Sequence, residues 1–239
     1  MKNLAQYIDA TFLKTQADGF TSEQLLQKVD QLIEEAHQWQ VKLVMIRPEY
    51  VLYAKKKLQE LSSKVAVGTV IDFPLGNGGI ERKIQEAHFA IQQQADELDF
   101  VIDYRAFQMG AIDRVKEEVF VCTQVALQHN KIAKWIIETA ALSDREIICL
   151  TSLIKNVVIS KFSENDYERV FIKSSTGFYP TEAGTPNGAT MHNITMMLEN
   201  ATPLPVKAAG GVRTKEEALQ MISLGVKRIG TSSHVSILK

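Results

Sequence analysis

Short apolar, β-branched runs alternate along this chain with longer stretches of helical period. Eight such runs stand out: Ile8 to Phe12, Val41 to Ile46, Val65 to Ile71, Leu98 to Asp103, Ile132 to Glu138, Val170 to Lys173, Pro205 to Ala209 and Val226 to Gly230. Between them, apolar residues recur at steps of three and four, as Leu25, Val29, Leu32, Ile33 and Ala36 do in Ser22 to Trp39. Thr21 with Gln24 reads as a capping box, and Ser143 with Asp144 as the cap of a later helix. Strand followed by helix, eight times, predicts an α/β chain folded as a (β/α)8 TIM barrel, because strands covered on both faces lose polar alternation. A doubly wound open sheet is the alternative. No linker or compositional break divides residues 1–239, so one domain is expected.

Composition narrows the class of partner. The 239 residues are 45% hydrophobic and 23% charged, an ordinary balance for a folded domain. With 27 Lys plus Arg against 28 Asp plus Glu, the net charge is −1, which does not recommend nucleic acid or an anionic membrane. No window approaches 18 uninterrupted apolar residues, and Met1 to Lys14 lacks the apolar core of a secretion signal. Cys122 and Cys149 lie in apolar helical stretches without a second ligand at metal spacing, so both are expected as reduced core thiols in a cytoplasmic protein. No metal or cofactor is called for, and further copies of the same chain stay open as a macromolecular partner.

The informative anomaly is charge inside the strands. Side chains alternate along a strand, so Leu98, Phe100 and Ile102 oppose Asp99; Trp135 and Ile137 oppose Lys134 and Glu138; Val170 and Ile172 oppose Lys173. If the bulky apolar set faces the helices, Asp99, Lys134, Glu138 and Lys173 point into the barrel, and Lys207, between Val206 and Ala208, joins them. Burying a lone ammonium or carboxylate costs several kcal/mol, so such a cluster calls for a chemical reason. An unperturbed lysine, with a pKa of about 10.4, is protonated at neutral pH. Desolvation and a neighbouring ammonium lower that value and free a lone pair to attack a carbonyl. Lys173, with Lys207 as its neighbour and Asp99 as acid/base, outlines a Schiff-base site.

Phosphate is the second signal. Ser174 to Gly177, Gly210-Gly211 and Gly230 to Ser233 follow the sixth, seventh and eighth strands, where barrels hold phosphate on backbone amides and hydroxyls.

These segments resemble deoxyribose-phosphate aldolase, a class I aldolase family. The resemblance runs almost end to end, through Ile8-Asp9 with Thr11, Phe73-Pro74-Leu75-Gly76, Asp96-Glu97-Leu98-Asp99, Lys134 with Ile136 to Thr139, Phe171 to Phe178, Val206 to Thr214 and Ile229 to Ser233. It implies a TIM barrel that reversibly cleaves 2-deoxyribose 5-phosphate to glyceraldehyde 3-phosphate and acetaldehyde without metal. It also implies Lys173 as the imine-forming lysine, Lys207 as the lysine that lowers its pKa, and Asp99 as the relay acid. Lys134, Asp9 and Thr11 match substrate-binding positions, and Gly177, Gly210, Gly211, Ser232 and Ser233 match the phosphate cradle.

The chain departs from the family's pattern in places. Met45 and Ala10 stand where many relatives have cysteine and histidine, and no counterpart of a C-terminal tyrosine follows Lys239. The segment Lys155 to Arg169 is long but is expected on the far face, whereas the expanded loop Phe178 to Gly188 falls on the reactive face and is expected to influence which aldehyde fits. The five histidines are expected at surfaces or helix ends, with His234, beside Ser233, the one closest to the chemistry. Arg47 and Arg105, just past strand ends, are expected in loop salt bridges or on phosphate. Two rivals stand beside the aldolase reading: a Schiff-base barrel for a different phosphorylated aldehyde or ketone, and a non-catalytic phosphosugar-binding barrel.

Overall fold

The computed structural model describes residues 4–182, 185 and 187–239. Eight strands pair in chain order and all in parallel: β1 (Ile8–Thr11), β2 (Leu43–Ile46), β3 (Ala66–Ile71), β4 (Glu97–Val101), β5 (Ile132–Ile136), β6 (Val170–Lys173), β7 (Val206–Ala209) and β8 (Arg228–Thr231). β8 also pairs with β1, with Asp9 opposite Gly230. That closure makes a barrel and removes the open-sheet alternative.

Nine α-helices connect and surround the strands: α1 (Ser22–Trp39), α2 (Val51–Glu60), α3 (Ile80–Gln92), α4 (Tyr104–Gln108), α5 (Ile112–Gln128), α6 (Asp144–Lys161), α7 (Met191–Ala201), α8 (Lys215–Leu224) and α9 (His234–Leu238) among the described residues. α1 starts where Thr21 accepts a hydrogen bond from the Gln24 amide and Gln24 answers the Thr21 amide. The five apolar residues read from its period are its buried residues. Ser143 caps α6, but its reciprocal partner is Glu146, three residues on.

The main core lies between the strands and the helices, as parity requires. Leu98, Phe100, Trp135, Val170 and Ile172 belong to it, each burial contributing about 1.5–3 kcal/mol. Trp135 stacks on Phe100 with ring centroids 5.1 Å apart and donates its indole N–H to the Thr123 hydroxyl at 2.9 Å. A second, smaller apolar cluster of Leu13, Leu43, Met45 and Val70 fills the barrel interior beside the first three strands.

Several expected boundaries shift for polar reasons. Asp103 lies past β4, where its side chain caps α4 by accepting from the Ala106 amide. Glu138 lies past β5 in the left-handed region, at φ 60°. The segment 155–169 ends α6 and adds a short helix at Glu164–Arg169 before β6, so it lies at the strands' N-terminal end, as expected. Cys122 is buried, but Cys149 is exposed on the outer face of α6, against expectation. An apolar neighbourhood in sequence does not choose which side of a helix a residue takes.

Thr123 provides a test of the outer core. Thr123→Val keeps the volume but leaves the Trp135 N–H buried without an acceptor, and is expected to cost about 1–3 kcal/mol. A denaturant titration with an unchanged midpoint would contradict this.

Candidate active site

Strand register builds the site. Asp99 on β4 lies opposite Lys134 on β5, and Lys173 on β6 lies opposite Lys207 on β7. All four side chains meet inside the barrel. Asp99 accepts Lys134 on Oδ1 at 2.6 Å, and both Lys173 and Lys207 on Oδ2 at 2.9 Å. Gly230 on β8 makes the room: a Cβ there would lie 3.0 Å from Lys207 Cε.

Two further charges join them that the sequence reading missed. Glu97 receives Lys134 at 2.6 Å and Arg228 at 2.5 Å, and Arg228 also donates to Asp9 Oδ1 at 2.7 Å. The signals were available: Glu97 shares the parity of Asp99, and Arg228 is a cation on the Gly230 side of an apolar strand. Asp9, expected beside the substrate, is wholly buried and pairs with Lys207 at 2.6 Å. Lys134 is likewise buried, below the cavity rather than in it.

Three carboxylates, Asp9, Glu97 and Asp99, thus face four cations, Lys134, Lys173, Lys207 and Arg228. The excess charge falls where compensation is thinnest. Lys134 reaches all three acids, Lys207 and Arg228 reach two each, and Lys173 reaches Asp99 alone.

Proton affinities follow that count. For Lys173, burial is the largest influence and lowers its pKa. Asp99 opposes it, Lys207 and Lys134 add to the lowering, and the result is about 8. Lys134 is also penalised by burial, but Asp99, Glu97 and Asp9 overcome the penalty and hold its proton more tightly than an ordinary lysine's. Burial would raise both acids. Lys134, Lys173 and Lys207 instead hold Asp99 well below the carboxylate range, and Arg228 with Lys207 and Lys134 hold Asp9 at about 2. Crowding by Lys207 therefore contributes to the lowered Lys173 pKa, but desolvation leads it.

A cavity of about 250 Å³ opens above this network. Lys173 is the one member of the four cations that lines it, with Thr11, Thr176, Gly177, Gly210, Gly211 and Ser232 among its other walls. Ser233 is set back from it, its amide donating to the Thr231 hydroxyl. Gly210 is required by geometry: its φ is 91°, and a Cβ would lie 2.2 Å from the Asn187 carbonyl oxygen. Glu138 is expected from parity to point inward. It is buried past the end of β5 and accepts from the Thr176 hydroxyl and backbone amide; burial raises its pKa, against the lowering by those bonds and by Lys173.

The remaining sequence candidates take other places. Residues 183, 184 and 186 of the expanded loop lie outside the described residues. Thr181, Glu182, Thr185 and Asn187 line a second cavity of about 730 Å³ that shares Gly177, Gly210, Gly211 and Arg213 with the first. Arg47 donates to the Leu13 carbonyl and Arg105 to the Leu75 carbonyl, so each braces a loop through its backbone. His234 opens α9, one of the helix ends expected of the histidines, and is buried there, 2.9 Å from Glu35. Among the described residues, no group of three or more His, Cys, Asp or Glu is arranged to hold a metal ion.

Comparison with known proteins agrees with this geometry. The model of the DeoC/LacD family aldolases matches residues 3–236. A deoxyribose-phosphate aldolase of Thermococcus gammatolerans is 39% identical, covering 99% of this chain and 96% of its own length. Another, from Caldicellulosiruptor saccharolyticus, is 37% identical over 99% of this chain and 97% of its own. Among solved structures, a tetrameric deoxyribose phosphate aldolase from Aeropyrum pernix superposes with a TM-score of 0.77 at 28% identity, covering 98% of this chain and 89% of that one. The closed barrel, the lysines gathered on one buried aspartate and these matches over nearly the whole length lead to one assignment: the chain belongs to the DeoC/LacD family of aldolases.

Proposed function

We propose that this aldolase reversibly cleaves 2-deoxy-D-ribose 5-phosphate to D-glyceraldehyde 3-phosphate and acetaldehyde through an imine on Lys173. One observation carries the reading: of the four buried cations, Lys173 alone lines the cavity and alone has a single carboxylate partner. With a pKa of about 8, roughly one molecule in ten carries the neutral amine at pH 7. An unperturbed lysine would offer only a few in ten thousand at that pH.

The steps balance as follows. Lys173 Nζ attacks the C1 aldehyde of the open-chain sugar, and the carbinolamine loses water to give the protonated imine. The C3 hydroxyl gives up its proton, the C2–C3 bond breaks and its electrons enter the enamine. C3 departs as the aldehyde carbon of glyceraldehyde 3-phosphate. Protonation of the enamine at C2 and addition of water release acetaldehyde and restore the amine. Asp99, held ionised, is the accepting and orienting end of the proton relay, and the Lys207 ammonium on the same oxygen is its donor. Gly177, Gly210, Gly211 and Ser232 would receive the phosphate on backbone amides and a hydroxyl, with Ser233 behind them and Thr11 on the opposite wall. Asp9 and Lys134 act beneath the cavity by neutralising Lys207 and Asp99.

The second cavity beside the cradle favours one alternative, a longer or different phosphorylated aldehyde. Product analysis over a panel of phosphosugars separates the two. The tetrameric relative supports self-association of this chain as well. An apolar groove between α5 and α6, with Phe107, Ile112, Phe120, Ile148 and Leu153, offers a contact surface. The two unpaired cysteines suit a reducing cytoplasm.

Borohydride reduction with acetaldehyde should modify the peptide holding Lys173, and Lys173→Ala should lose both trapping and cleavage; label on another lysine would move the site. The pH midpoint of trapping should lie near 8 in the wild type. Lys207→Met should move it up, because a cation that disfavours the Lys173 proton is gone. Asp99→Asn should move it down while slowing turnover, and equal midpoints in all three proteins would refute the electrostatic account.

Stability should respond with the opposite sign from a usual ion pair. The folded Lys173 pKa of about 8 lies below the 10.5 of a free lysine, so the folded state binds fewer protons between those values. The penalty, on the order of 3 kcal/mol, is fully present below pH 8 and fades as pH rises toward 10.5. Lys173→Met should therefore melt higher than wild type at pH 7, by a margin that shrinks at pH 10. A lower melting temperature at pH 7 would count against it.

A further inference from the structure

A further buried cation lies outside the barrel and takes no part in the proposed reaction. Lys83 on α3 is completely buried. Its ammonium lies 2.6 Å from the Gly76 carbonyl oxygen, 3.0 Å from Asp72 Oδ2 and 3.1 Å from Glu118 Oε1. Two of these partners belong to the loop path around the mouth of the barrel, and the third to an outer helix. Asp72 and Gly76 begin and carry the loop from β3 to α3. Glu118, on α5, also accepts the Asp103 amide just past β4.

The loop is held at further points. Asp72 Oδ2 accepts the Gly78 amide at 2.8 Å, and Glu86 accepts the Asp72 amide at 2.6 Å. Gly76 packs so closely that a Cβ would lie 2.5 Å from the Ile102 carbonyl oxygen. Phe73 of this loop stands behind the cavity wall. Its ring meets Phe178 edge to face at 5.0 Å, and the Arg47 guanidinium covers it at 5.0 Å. Phe178 lines the cavity and directly follows Gly177, the first glycine of the cradle.

Stability alone is a weak reason to bury such a group, since apolar packing of the same volume is often neutral or better. An apolar side chain at position 83, however, would grip neither the Gly76 carbonyl nor Asp72. We propose that Lys83 is a positioning residue for phosphate recognition: by clamping the β3–α3 loop to α5 it fixes Phe73, which buttresses Phe178 and the adjoining Gly177. This rests on the assignment of the phosphosugar as substrate.

The test is a split between substrates. Lys83→Met should raise KM for 2-deoxyribose 5-phosphate about tenfold with kcat within about threefold, while kcat/KM for unphosphorylated 2-deoxyribose changes less than about threefold. Phe73→Leu should reproduce the split without touching the buried ions. The double variant should show a KM no more than about twice that of either single one, because both act through the same ring contact. Should Lys83→Met not fold, Asp72→Asn, which keeps the volume and an acceptor for Gly78, replaces it in the same cycle. When the wild type cleaves the phosphosugar, equal losses on both substrates, additive KM effects or an unchanged KM in the variants would overturn this inference and leave the functional reading intact. A wild type that does not cleave the phosphosugar would overturn both.

Discussion

The structure turns on a single oxygen atom. Asp99 Oδ2 is shared by two lysine ammonium groups from adjacent strands, while the other oxygen of the carboxylate holds a third lysine. A buried carboxylate in that position cannot be protonated cheaply, and a buried lysine with no other acid cannot stay charged cheaply. The barrel interior is therefore one positive charge in excess, and the excess is felt at Lys173 because each other cation has more than one acid. Reactivity in this picture is a property of the whole charge set, not of one residue.

Such an interior sits beside an apolar core that is built without it. The main core lies between strands and helices and consists of ordinary aliphatic and aromatic packing, with Trp135 and Phe100 stacked within it. The interior is divided. Leu13, Leu43, Met45 and Val70 fill the side of the first strands, and the ions occupy the side from β4 round to β1. The cavity opens above the ions, bounded by the loops after β1, β6, β7 and β8.

Three buried lysines, two alike and one different, show why partner geometry matters more than burial. Lys83 and Lys134 are both wholly enclosed, and both have at least two carboxylates within reach. Lys173 is enclosed almost as completely but underpaired, and it faces a cavity. The first kind holds backbone and neighbouring side chains in place. The second is available to a reactant.

Much of this was legible in the sequence. Strand periodicity located all eight strands to within a few residues, because fully covered parallel strands leave continuous apolar runs. Period-two parity then placed Asp99, Lys134, Lys173 and Lys207 in one interior, and the local chemistry of caps and glycine turns marked where the loops begin. Parity does not reach Glu138, since the strand ends before it and the chain turns through a left-handed residue there. The apolar stretch around Cys149 left that thiol on the wrong side of its helix. The pairing of Arg228 with Asp9 and Glu97, 219 and 131 residues away, and the clamp of Lys83 on Asp72, Gly76 and Glu118 became visible only in three dimensions. Periodicity is a local property that the chain carries within itself. Which acids compensate which cations depends on barrel closure, and closure brings together atoms whose separation along the chain carries no information about their distance in space.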